Sequence, residues 1–460
     1  MQSINLEWDE KILSRYNVSG PRYTSYPTAL EFSADYKTTD YLSCLNNISN
    51  NKSLALYIHI PFCENICYYC ACNKIITKNY DKSIAYVNYL IKEIKIVAAQ
   101  SAAKSLRQIH WGGGTPTYLS VEQIESIMIT IRECFLVSEE EDTEISIEVD
   151  PRSLAINDIK KLATLGFNRM SLGVQDFDAK VQQSINRVQS FEEAFEMVKE
   201  ARKQGFKSIN LDLIYGLPHQ SIDTFKATLK KVIQISPDRI SVFNYAHLPD
   251  RFKSQRLINS ECLPSAIEKL EIFDSIIRTL QAYDYLFIGM DHFAKADDEL
   301  AIAQNNHCLH RNFQGYTTHQ EYELIGVGVS SIGSISNQYH QNVRDIKSYY
   351  NLLDQSKLPS WRGVAMTEDD KIRKAVIFDL ICHFEVSKQE IELNFGIKFD
   401  DYFADELVLI SQLVKDKLIL LDTQRIKITP RGRLLVRNIC MIFDAYLNEL
   451  ILDISFSKII

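Results

Sequence analysis

The chain has 460 residues, enough for two or three domains with large hydrophobic cores. Hydrophobic residues make up 46% and charged residues 24% of it, as in an ordinary globular protein. The net charge of −8 argues against nucleic acid and anionic membranes as partners, and the absence of an apolar run of about 18 residues excludes a membrane-spanning helix. The first ten residues are acidic rather than apolar, so we expect no signal peptide and a cytoplasmic location.

Short strand-like runs alternate with amphipathic helical stretches from residue 54 to about residue 250. This alternation predicts parallel strands with helices packed outside them. Periodicity alone does not separate a doubly wound sheet from a barrel. The candidate strands are residues 56–60, 108–111, 144–149, 169–174, 208–214 and 239–244, a further strand-like run covers residues 285–290, and the candidate helices are residues 80–99, 121–134, 191–204 and 222–235.

The polar residues that follow these strands indicate where the chemistry lies. Nearly every candidate strand ends in a cluster of Gly, Pro, Asp, Gln or His. In a barrel, the carboxyl ends of parallel strands meet on one face, which is where such folds place their functional residues. The clusters are residues 61–63, 112–116, 150–151, 175–176, 215–218 and 246–249.

The loop after the first candidate strand carries three cysteines, Cys63, Cys67 and Cys70, with the spacing C-x3-C-x2-C. Three close thiolates can hold three corners of a cubane iron–sulfur cluster and leave the fourth iron free to bind a ligand. Structural zinc normally uses two separated ligand pairs, and the sequence has no second such pair. The cysteines outside the loop are scattered singly, which indicates a reducing compartment rather than disulfides. The role of Cys72 stays open, since this cysteine can ligate the cluster, serve in redox chemistry or line the site.

Residues 112–114 are three consecutive glycines, and Thr115 and Pro116 follow them. Glycines let the backbone approach a ligand closely, although a tight barrel turn has the same composition. Glu148 lies near the end of the next candidate strand, between two apolar residues. A carboxylate at that place suits the hydroxyl groups of a ribose, and a solvated or helix-capping glutamate is the alternative.

The last hundred residues contain helical stretches, two short strand-like runs and a closing helix, an order that resembles a winged-helix module. Such modules often bind DNA, but residues 361–460 hold 14 Lys and Arg against 16 Asp and Glu. Because this balance gives no basic surface, we expect a domain that covers the substrate.

The cysteine loop and its strand context resemble the radical S-adenosylmethionine (SAM) superfamily. Within it the sequence is similar to the family of oxygen-independent coproporphyrinogen III oxidases. The resemblance rests on the cluster motif with Cys72, on the N-terminal segment at residues 19–28 and on the loop at residues 311–318. It extends over essentially the whole chain, to residues 437–440 near the end.

The resemblance implies an α/β fold with a partial (β/α)6 barrel. A covering segment at residues 1–52 precedes the barrel and its extension at residues 53–355. A mostly helical, winged-helix-like domain follows at residues 356–460. The implied reaction turns two propionate groups of coproporphyrinogen III into vinyl groups, giving protoporphyrinogen IX in haem biosynthesis without oxygen. An unactivated C–H bond on the propionate β-carbon requires a radical, which the cofactors must supply.

In the implied mechanism, an external low-potential donor reduces a [4Fe–4S] cluster. The cluster then cleaves SAM to a 5′-deoxyadenosyl radical, which takes a hydrogen atom from the propionate. Loss of carbon dioxide and one electron leaves the vinyl group. We expect a monomer that uses neither nucleic acid nor a membrane.

The family's site residues carry over to matching positions of this sequence. Cys63, Cys67 and Cys70 ligate the cluster. Tyr57, Gly113, Glu148 and Ile332 match contacts to the cluster-bound SAM, and a second SAM site is matched by Tyr69, Gly114, Thr115, Gln175, Arg187, Asp212 and Ala246. Without the resemblance, Arg187 is equally well a surface helix arginine. Tyr57, Cys72, Phe313 and Gln314 are the candidate catalytic residues.

The four carboxylates of the substrate require local cations, for which Arg22 and Arg311 are candidates; ion pairs within the protein are the alternative. The aromatic rings of Tyr23 and Tyr26 are expected to cover a flat tetrapyrrole at the barrel mouth. Two rival functions stay open. One is a related radical SAM haem chaperone or methyltransferase, relatives that usually lack a counterpart of Cys72, and the other is a zinc-stabilised adaptor.

Overall fold

The computed structural model describes residues 6–138, 143–319 and 322–447. Within these ranges, no helix combines the length and the apolar character needed to cross a lipid bilayer. Two helices precede the central sheet, α1 (Glu10–Tyr16) and α2 (Thr38–Asn47).

Six parallel strands form the central part of the sheet, and helices join them on the outside. Across the sheet these strands stand in the order β9-β8-β7-β6-β4-β1, which follows the order of the sequence. A doubly wound sheet would reverse its order at a switch point, so the architecture is the partial (β/α)6 barrel. The elements are β1 (Leu54–Ile60), β2 (Phe62–Cys63), β3 (Ile75–Ile76), α3 (Asp81–Gln100), β4 (Ser105–Gly113), α4 (Val121–Cys134), β5 (Leu136–Val137), β6 (Glu144–Val149), α5 (Ile156–Thr164), β7 (Arg169–Gln175), α6 (Ala179–Ser184), α7 (Phe191–Lys203), β8 (Ser208–Tyr215), α8 (Ile222–Ile235) and β9 (Arg239–Asn244).

The strands have one apolar face and one polar face because successive side chains of a strand point to opposite sides. In β8, Leu211 and Leu213 are fully buried in the core, whereas Asn210 and Asp212 belong to the other face. The parallel register pairs Ser171 of β7 with Asn210, which brings polar residues of neighbouring strands side by side. The lumen of the barrel is therefore polar, and the hydrophobic core lies between the strands and the outer helices.

The sheet continues beyond the six parallel strands on both sides. Strand β14 pairs in parallel with β1 and is followed by antiparallel strands, while β11 pairs antiparallel with β9. The edges of the sheet are therefore β10 and β17, and β12 with β13 forms a separate hairpin. These elements are α9 (Ala266–Ala282), β10 (Tyr285–Gly289), β11 (His292–Lys295), α10 (Glu299–Asn305), β12 (His310–Asn312), β13 (Gly315–Thr317), β14 (Glu323–Val327), β15 (Ile332–Ile335), β16 (Gln338–Asn342), α11 (Ile346–Asp354) and β17 (Ser360–Ala365).

The C-terminal region is mostly helical and contains one small three-stranded antiparallel sheet with the order β18-β20-β19. The hairpin of β19 and β20 lies where the sequence predicts two short strands, and β18 adds a third strand to it. The elements are α12 (Glu368–His383), β18 (Glu385–Ser387), α13 (Lys388–Phe395), α14 (Phe399–Tyr402), α15 (Ala404–Lys415), β19 (Ile419–Leu421), β20 (Arg425–Ile428) and α16 (Val436–Ile442).

The N-terminal segment packs against this C-terminal region. Tyr23 and Tyr26 are 1% and 0% exposed. The hydroxyl of Tyr23 donates to Asp444 at 2.9 Å, and the ring of Tyr26 lies 5.9 Å from that of Tyr446. The expectation that these two rings cover a ligand is wrong, because both are enclosed by protein and join the two ends of the chain.

Candidate active site

The polar lumen opens into a cavity of about 460 Å³ that contains the carboxyl ends of the parallel strands. Most of the site residues predicted from the sequence line this one cavity. They are Cys63, Cys67, Tyr69, Cys70, Cys72, Gly113, Gly114, Thr115, Glu148, Gln175, Arg187, Asp212 and Gln314. The other four, Tyr57, Ala246, Phe313 and Ile332, do not line it.

The cysteine loop is anchored where the chain leaves β1. Strand β2 pairs in parallel with β3, which closes the loop that carries Cys67 and Cys70. The Thr115 hydroxyl donates to Cys63 Sγ at 3.3 Å, and the Cys72 amide donates to Cys70 Sγ at 3.4 Å. Hydrogen bonds to the sulfurs are one of the ways in which a protein tunes an iron–sulfur cluster.

A pair of arginines approaches the third sulfur. Arg187 Nη1 lies 3.5 Å and Arg152 Nη2 lies 3.7 Å from Cys67 Sγ. Asp150 holds both arginines, with Oδ2 2.9 Å from Arg187 Nη1 and 2.7 Å from Arg152 Nη2. Arg187 also donates to the carbonyl of Gly173, so it is a buried residue of the site and not a surface helix arginine.

The thiols differ in acidity. A hydrogen bond from the Cys72 side chain, together with nearby Lys74, outweighs burial and lowers the pKa of Cys70 to about 6. Burial raises the pKa of Cys63 to about 11, although the bond from Thr115 opposes this. Since iron binds thiolate, Cys63 must release its proton to solvent when the cluster binds.

The glycine run packs directly on the start of the cysteine loop. The amide of Gly114 donates to the carbonyl of Ile60 at 2.8 Å. A Cβ on Gly114 would lie 2.8 Å from the Pro61 carbonyl, and one on Gly113 would lie 2.7 Å from the His59 ring. This close approach requires glycine and joins the two motifs that the sequence singles out.

Glu148 stands at the end of β6 and has two partners in the neighbouring strand β4. Its Oε2 accepts from the Gly113 amide at 3.2 Å, and its Oε1 lies 3.3 Å from His110 Nε2. The side chain is 43% exposed to the cavity, so its carboxylate retains free acceptor positions for hydroxyl groups.

Asp212 lies deeper in the lumen and is held by neutral donors. Ser171 Oγ donates to its Oδ2 at 2.9 Å, and Asn210 Nδ2 donates to its Oδ1 at 2.8 Å. Burial raises the pKa of Asp212 to about 6, against the effect of the Ser171 bond. At neutral pH the group is an anion in a poorly solvated place, which favours a partner that donates hydrogen bonds.

Three of the four predicted residues that do not line the cavity, Tyr57, Ile332 and Ala246, lie close behind its walls. Tyr57 supports Gly112, where an added Cβ would lie 3.1 Å from the Tyr57 ring. In the sheet, Tyr57 of β1 pairs with Gly326 of β14. A Cβ added to Gly326 would lie 2.6 Å from the backbone of Ile332. Ala246 is tied to Tyr69, because Gln255 Nε2 donates to both of their carbonyls, at 3.1 Å and 3.0 Å.

Phe313 and Gln314 occupy the turn of the β12–β13 hairpin. Gln314 lines the cavity, and the Phe313 ring packs edge-on against Tyr339 with centroids 5.5 Å apart. The turn therefore presents one of the two predicted residues to the lumen and the other to the neighbouring aromatic cluster.

The two candidate cations for the substrate carboxylates have different environments. Arg22 is 3.2 Å from Asp291 and donates to the carbonyl of Asn244 at 3.3 Å. Arg22 is therefore paired within the protein, which was the alternative to a role in binding the substrate carboxylates. Arg311 forms no ion pair with a residue that the structure describes, and its Nε and Nη1 are buried without an acceptor.

The sequence interpretation missed three residues that shape the site, His110, Arg152 and Gln255. His110 has a detectable signal, because it precedes the glycine run by two residues and so shares the lumen face of β4. Arg152 acts from a turn and Gln255 from a short 3-10 helix (Lys253–Leu257), segments too short for a periodicity to indicate which way a side chain points.

The comparisons with known proteins agree with this site. Residues 57–232 match the model of the Radical SAM superfamily, and residues 366–435 match that of the HemN C-terminal domain. The oxygen-independent coproporphyrinogen III oxidase of Escherichia coli strain K12 is 48% identical over 455 residues, 99% of each chain. That of Pseudomonas aeruginosa is 49% identical over 447 residues, 97% of each chain. This chain belongs to the oxygen-independent coproporphyrinogen III oxidases.

The solved structure of coproporphyrinogen III oxidase (HemN) from Escherichia coli, a radical SAM enzyme, has the same fold. It superposes with a TM-score of 0.92 at 47% identity, covering 96% of this chain and 100% of that one. As a radical SAM oxidoreductase of this oxidase family, the chain uses a [4Fe–4S] cluster and SAM. Its function lies in porphyrin and haem biosynthesis.

The residues present fit these cofactors. Within the described ranges, no three His, Cys, Asp or Glu side chains converge tightly enough to hold a single ion. Cys63, Cys67 and Cys70 instead line a shared space, which suits a larger cluster with thiolate ligands, and each sulfur has a hydrogen-bond donor that can tune such a cluster. The glycine run and Glu148 leave backbone groups and a carboxylate beside that space for SAM.

Proposed function

We propose that this chain converts coproporphyrinogen III to protoporphyrinogen IX without oxygen, by oxidative decarboxylation of two propionate groups to vinyl groups. The observation that carries the proposal is the identity of 48% with named oxidases over essentially the full chain. The haem chaperone and methyltransferase alternatives do not account for this full-length similarity.

In this proposal Cys63, Cys67 and Cys70 ligate the cluster through their sulfurs. Glu148 accepts hydrogen bonds from the ribose of the cluster-bound SAM, and Gly113 presents its backbone to the methionyl part. Tyr57 and Ile332 form the wall behind them. The bond from the Gly113 amide orients Glu148 in advance, which lowers the entropy lost on binding.

A second SAM site is proposed around Asp212 and Arg187. Asp212 suits the hydroxyl or amino groups of a SAM molecule, and Arg187 suits its carboxylate. Tyr69 and Ala246 stand together at one end of this site through Gln255. The remaining members are Gly114, Thr115 and Gln175.

When bound, the cluster supplies the electron that cleaves SAM to the radical able to take a hydrogen atom from the propionate β-carbon. The protein contributes position and exclusion of water. Tyr57 and Gly112 pack closely behind the site, and Gln314 of the hairpin closes it from the lumen side. We propose that Tyr57, Cys72, Phe313 and Gln314 position the reacting groups, with Cys72 and Gln314 in the wall of the cavity and Tyr57 and Phe313 behind it.

The proposal includes the setting of the reaction. All ten cysteines are free, which fits a reducing cytoplasm. An external low-potential donor supplies electrons to a monomer that uses neither nucleic acid nor a membrane. Residues 1–52 form the covering segment, residues 53–355 the barrel with its extension and residues 356–460 the C-terminal domain.

The test is an anaerobic turnover assay on the reconstituted enzyme. Coproporphyrinogen III, SAM and a low-potential reductant are added, and tetrapyrroles are oxidised and separated by chromatography. We expect a dicarboxylic product with two vinyl groups and the release of two carbon dioxide molecules per substrate. Cys67→Ala should lose iron and activity, because one of the cluster ligands is removed.

The matched control is Cys134→Ala, which alters a cysteine at the end of the outer helix α4. It should keep both iron and turnover. An iron-loaded wild-type enzyme that binds haem but forms no vinyl product would refute the oxidase function, and a colourless protein containing zinc would favour the adaptor.

A further inference from the structure

A second cavity, of about 920 Å³, lies beside the active-site cavity. Hairpin β12–β13, strands β14 to β16 and helices α12 and α13 contribute to its walls. Gln108, Asn312 and Thr317 line both cavities, so the two spaces adjoin. At the hairpin turn, Phe313 faces the second cavity and Gln314 the first.

Arg311 is the first cation in the second cavity. Its Nε and Nη1 are buried and have no acceptor among the residues that the structure describes. The guanidinium lies 4.8 Å from the ring centroid of Tyr316, which fixes its position without neutralising its charge. Because an unpaired buried cation is costly, this arrangement favours an anionic ligand.

Lys374 of α12 is the second cation. Its Nζ lies 5.3 Å from the Tyr339 ring and 5.7 Å from the Phe378 ring, and no carboxylate of the described chain lies within ion-pair distance. The nearby Lys371 differs, since it donates to Glu368 at 2.6 Å. The carboxylate that Lys374 influences, Glu323, already accepts from the Ser336 amide.

The acidic residues in the walls do not cancel these two charges. Glu385 is paired with Arg425 at 2.6 Å and with Lys427 at 3.2 Å. Burial, followed by the charge of Glu390, raises the pKa of Asp379 to about 7, so much of it is protonated at neutral pH. Glu390 of α13 remains, one carboxylate against the two cations. Among the residues that the structure describes, Arg311 and Lys374 thus stand in this cavity without an ion-pair partner, beside aromatic walls.

We propose that the second cavity binds the two propionate carboxylates of the tetrapyrrole that the reaction leaves intact, through Arg311 and Lys374. The inference rests on the proposed function, in which two of four propionates are converted and two persist. The Phe313 and Tyr339 rings pack against the apolar body, while a propionate to be converted reaches past Gln314 into the active-site cavity. The hairpin turn between the cavities then determines which propionates meet the cofactors.

The test measures binding separately from chemistry. Oxidised coproporphyrin III, which the enzyme cannot decarboxylate as it does the porphyrinogen, is titrated anaerobically into the iron-loaded enzyme by fluorescence quenching. Arg311→Gln should weaken binding by about 10- to 100-fold, the worth of one charge-assisted hydrogen bond, and Lys374→Gln by about tenfold. Both should raise KM for coproporphyrinogen III by similar factors, with kcat changed less. Arg311→Lys should recover much of the affinity.

Lys371→Gln is the matched control. Lys371 lies on the same helix and lines the same cavity, but its charge is already paired with Glu368. The variant should bind within about twofold of the wild type. Iron content and SAM affinity should not change in any variant. If Arg311→Gln and Lys374→Gln bind like the wild type while the wild type forms vinyl product, this inference is wrong and the oxidase function stands. If Arg311→Gln does not fold, Arg311→Lys and Lys374→Gln decide. A wild type that makes no product contradicts the oxidase function instead.

Discussion

Cys72 is bonded to the cluster loop without being part of the C-x3-C-x2-C spacing. Its amide donates to Cys70 Sγ, and its side chain lowers the pKa of the same thiol. Any residue except proline at position 72 keeps the hydrogen bond from the backbone amide, whereas only a side chain with a donor keeps the second bond. Cys72 therefore contacts a proposed cluster ligand from outside the three-cysteine spacing.

We therefore predict that Cys72→Ser retains about four irons per chain, the content of a full cubane. Turnover should fall by about 100-fold, because the serine hydroxyl is a far weaker acid than the thiol that it replaces. Iron content and the rate of vinyl formation are measured on the same sample. A variant that loses its cluster would show that Cys72 is a ligand.

At the residue scale, the sequence predicts best where chemistry is local. Cys63, Cys67 and Cys70 lie within eight residues, so their spacing alone defines their joint role. Asp212 is different, since its environment depends on Ser171 of the neighbouring strand. Tyr23 was misinterpreted because its partner, Asp444, is more than 400 residues away in the chain.

At the element scale, the site depends on how two strand ends meet. Strands β1 and β4 pair in register up to Ile60 and Gly113, and the loops that follow are then in contact. The long strands were predictable because alternating faces repeat over several residues. Strand β18 covers three residues and β15 four, too few for a period to stand out.

Gly114→Ala tests this contact between elements. The new Cβ would lie 2.8 Å from the carbonyls of Pro61 and Phe62, so the cysteine loop must move away from β4. We predict that iron content falls by at least about half and that SAM binds about tenfold more weakly, as a lost backbone contact implies. Iron analysis and calorimetric SAM titration measure the two effects.

The control for that variant is Gly205→Ala, where a Cβ meets nothing within 4 Å. Its φ of +88° costs about 1–2 kcal/mol of unfolding free energy in an alanine, without displacing a neighbour. Iron and SAM binding should be unchanged there. Normal cofactor binding in Gly114→Ala would mean that the two loops are not held by this contact.

At the scale of the whole molecule, the two ends of the chain hold each other. Arg437 of α16 donates to the carbonyl of Pro21 at 2.9 Å and to that of Gly20. The amide of Ala445 donates to the Tyr26 hydroxyl at 3.1 Å. From the same segment, Arg22 reaches the end of β9. The N-terminal segment therefore ties the C-terminal region to the barrel.

We predict that Arg437→Met loosens both ends together. The variant leaves two buried carbonyls without their donor, which should cost about 2–4 kcal/mol of unfolding free energy. Urea unfolding measures the loss, and limited proteolysis should show faster cleavage within the first 30 or so residues.

Arg15→Met is the matched control. Arg15 is 55% exposed in its ion pair with Asp416, so its loss should cost less than about 1 kcal/mol. Equal stability of the two variants would mean that the Arg437 contacts do not join the segment to the fold. A cost confined to Arg437→Met would show that the covering segment is held in place from the far end of the chain, before any substrate is bound.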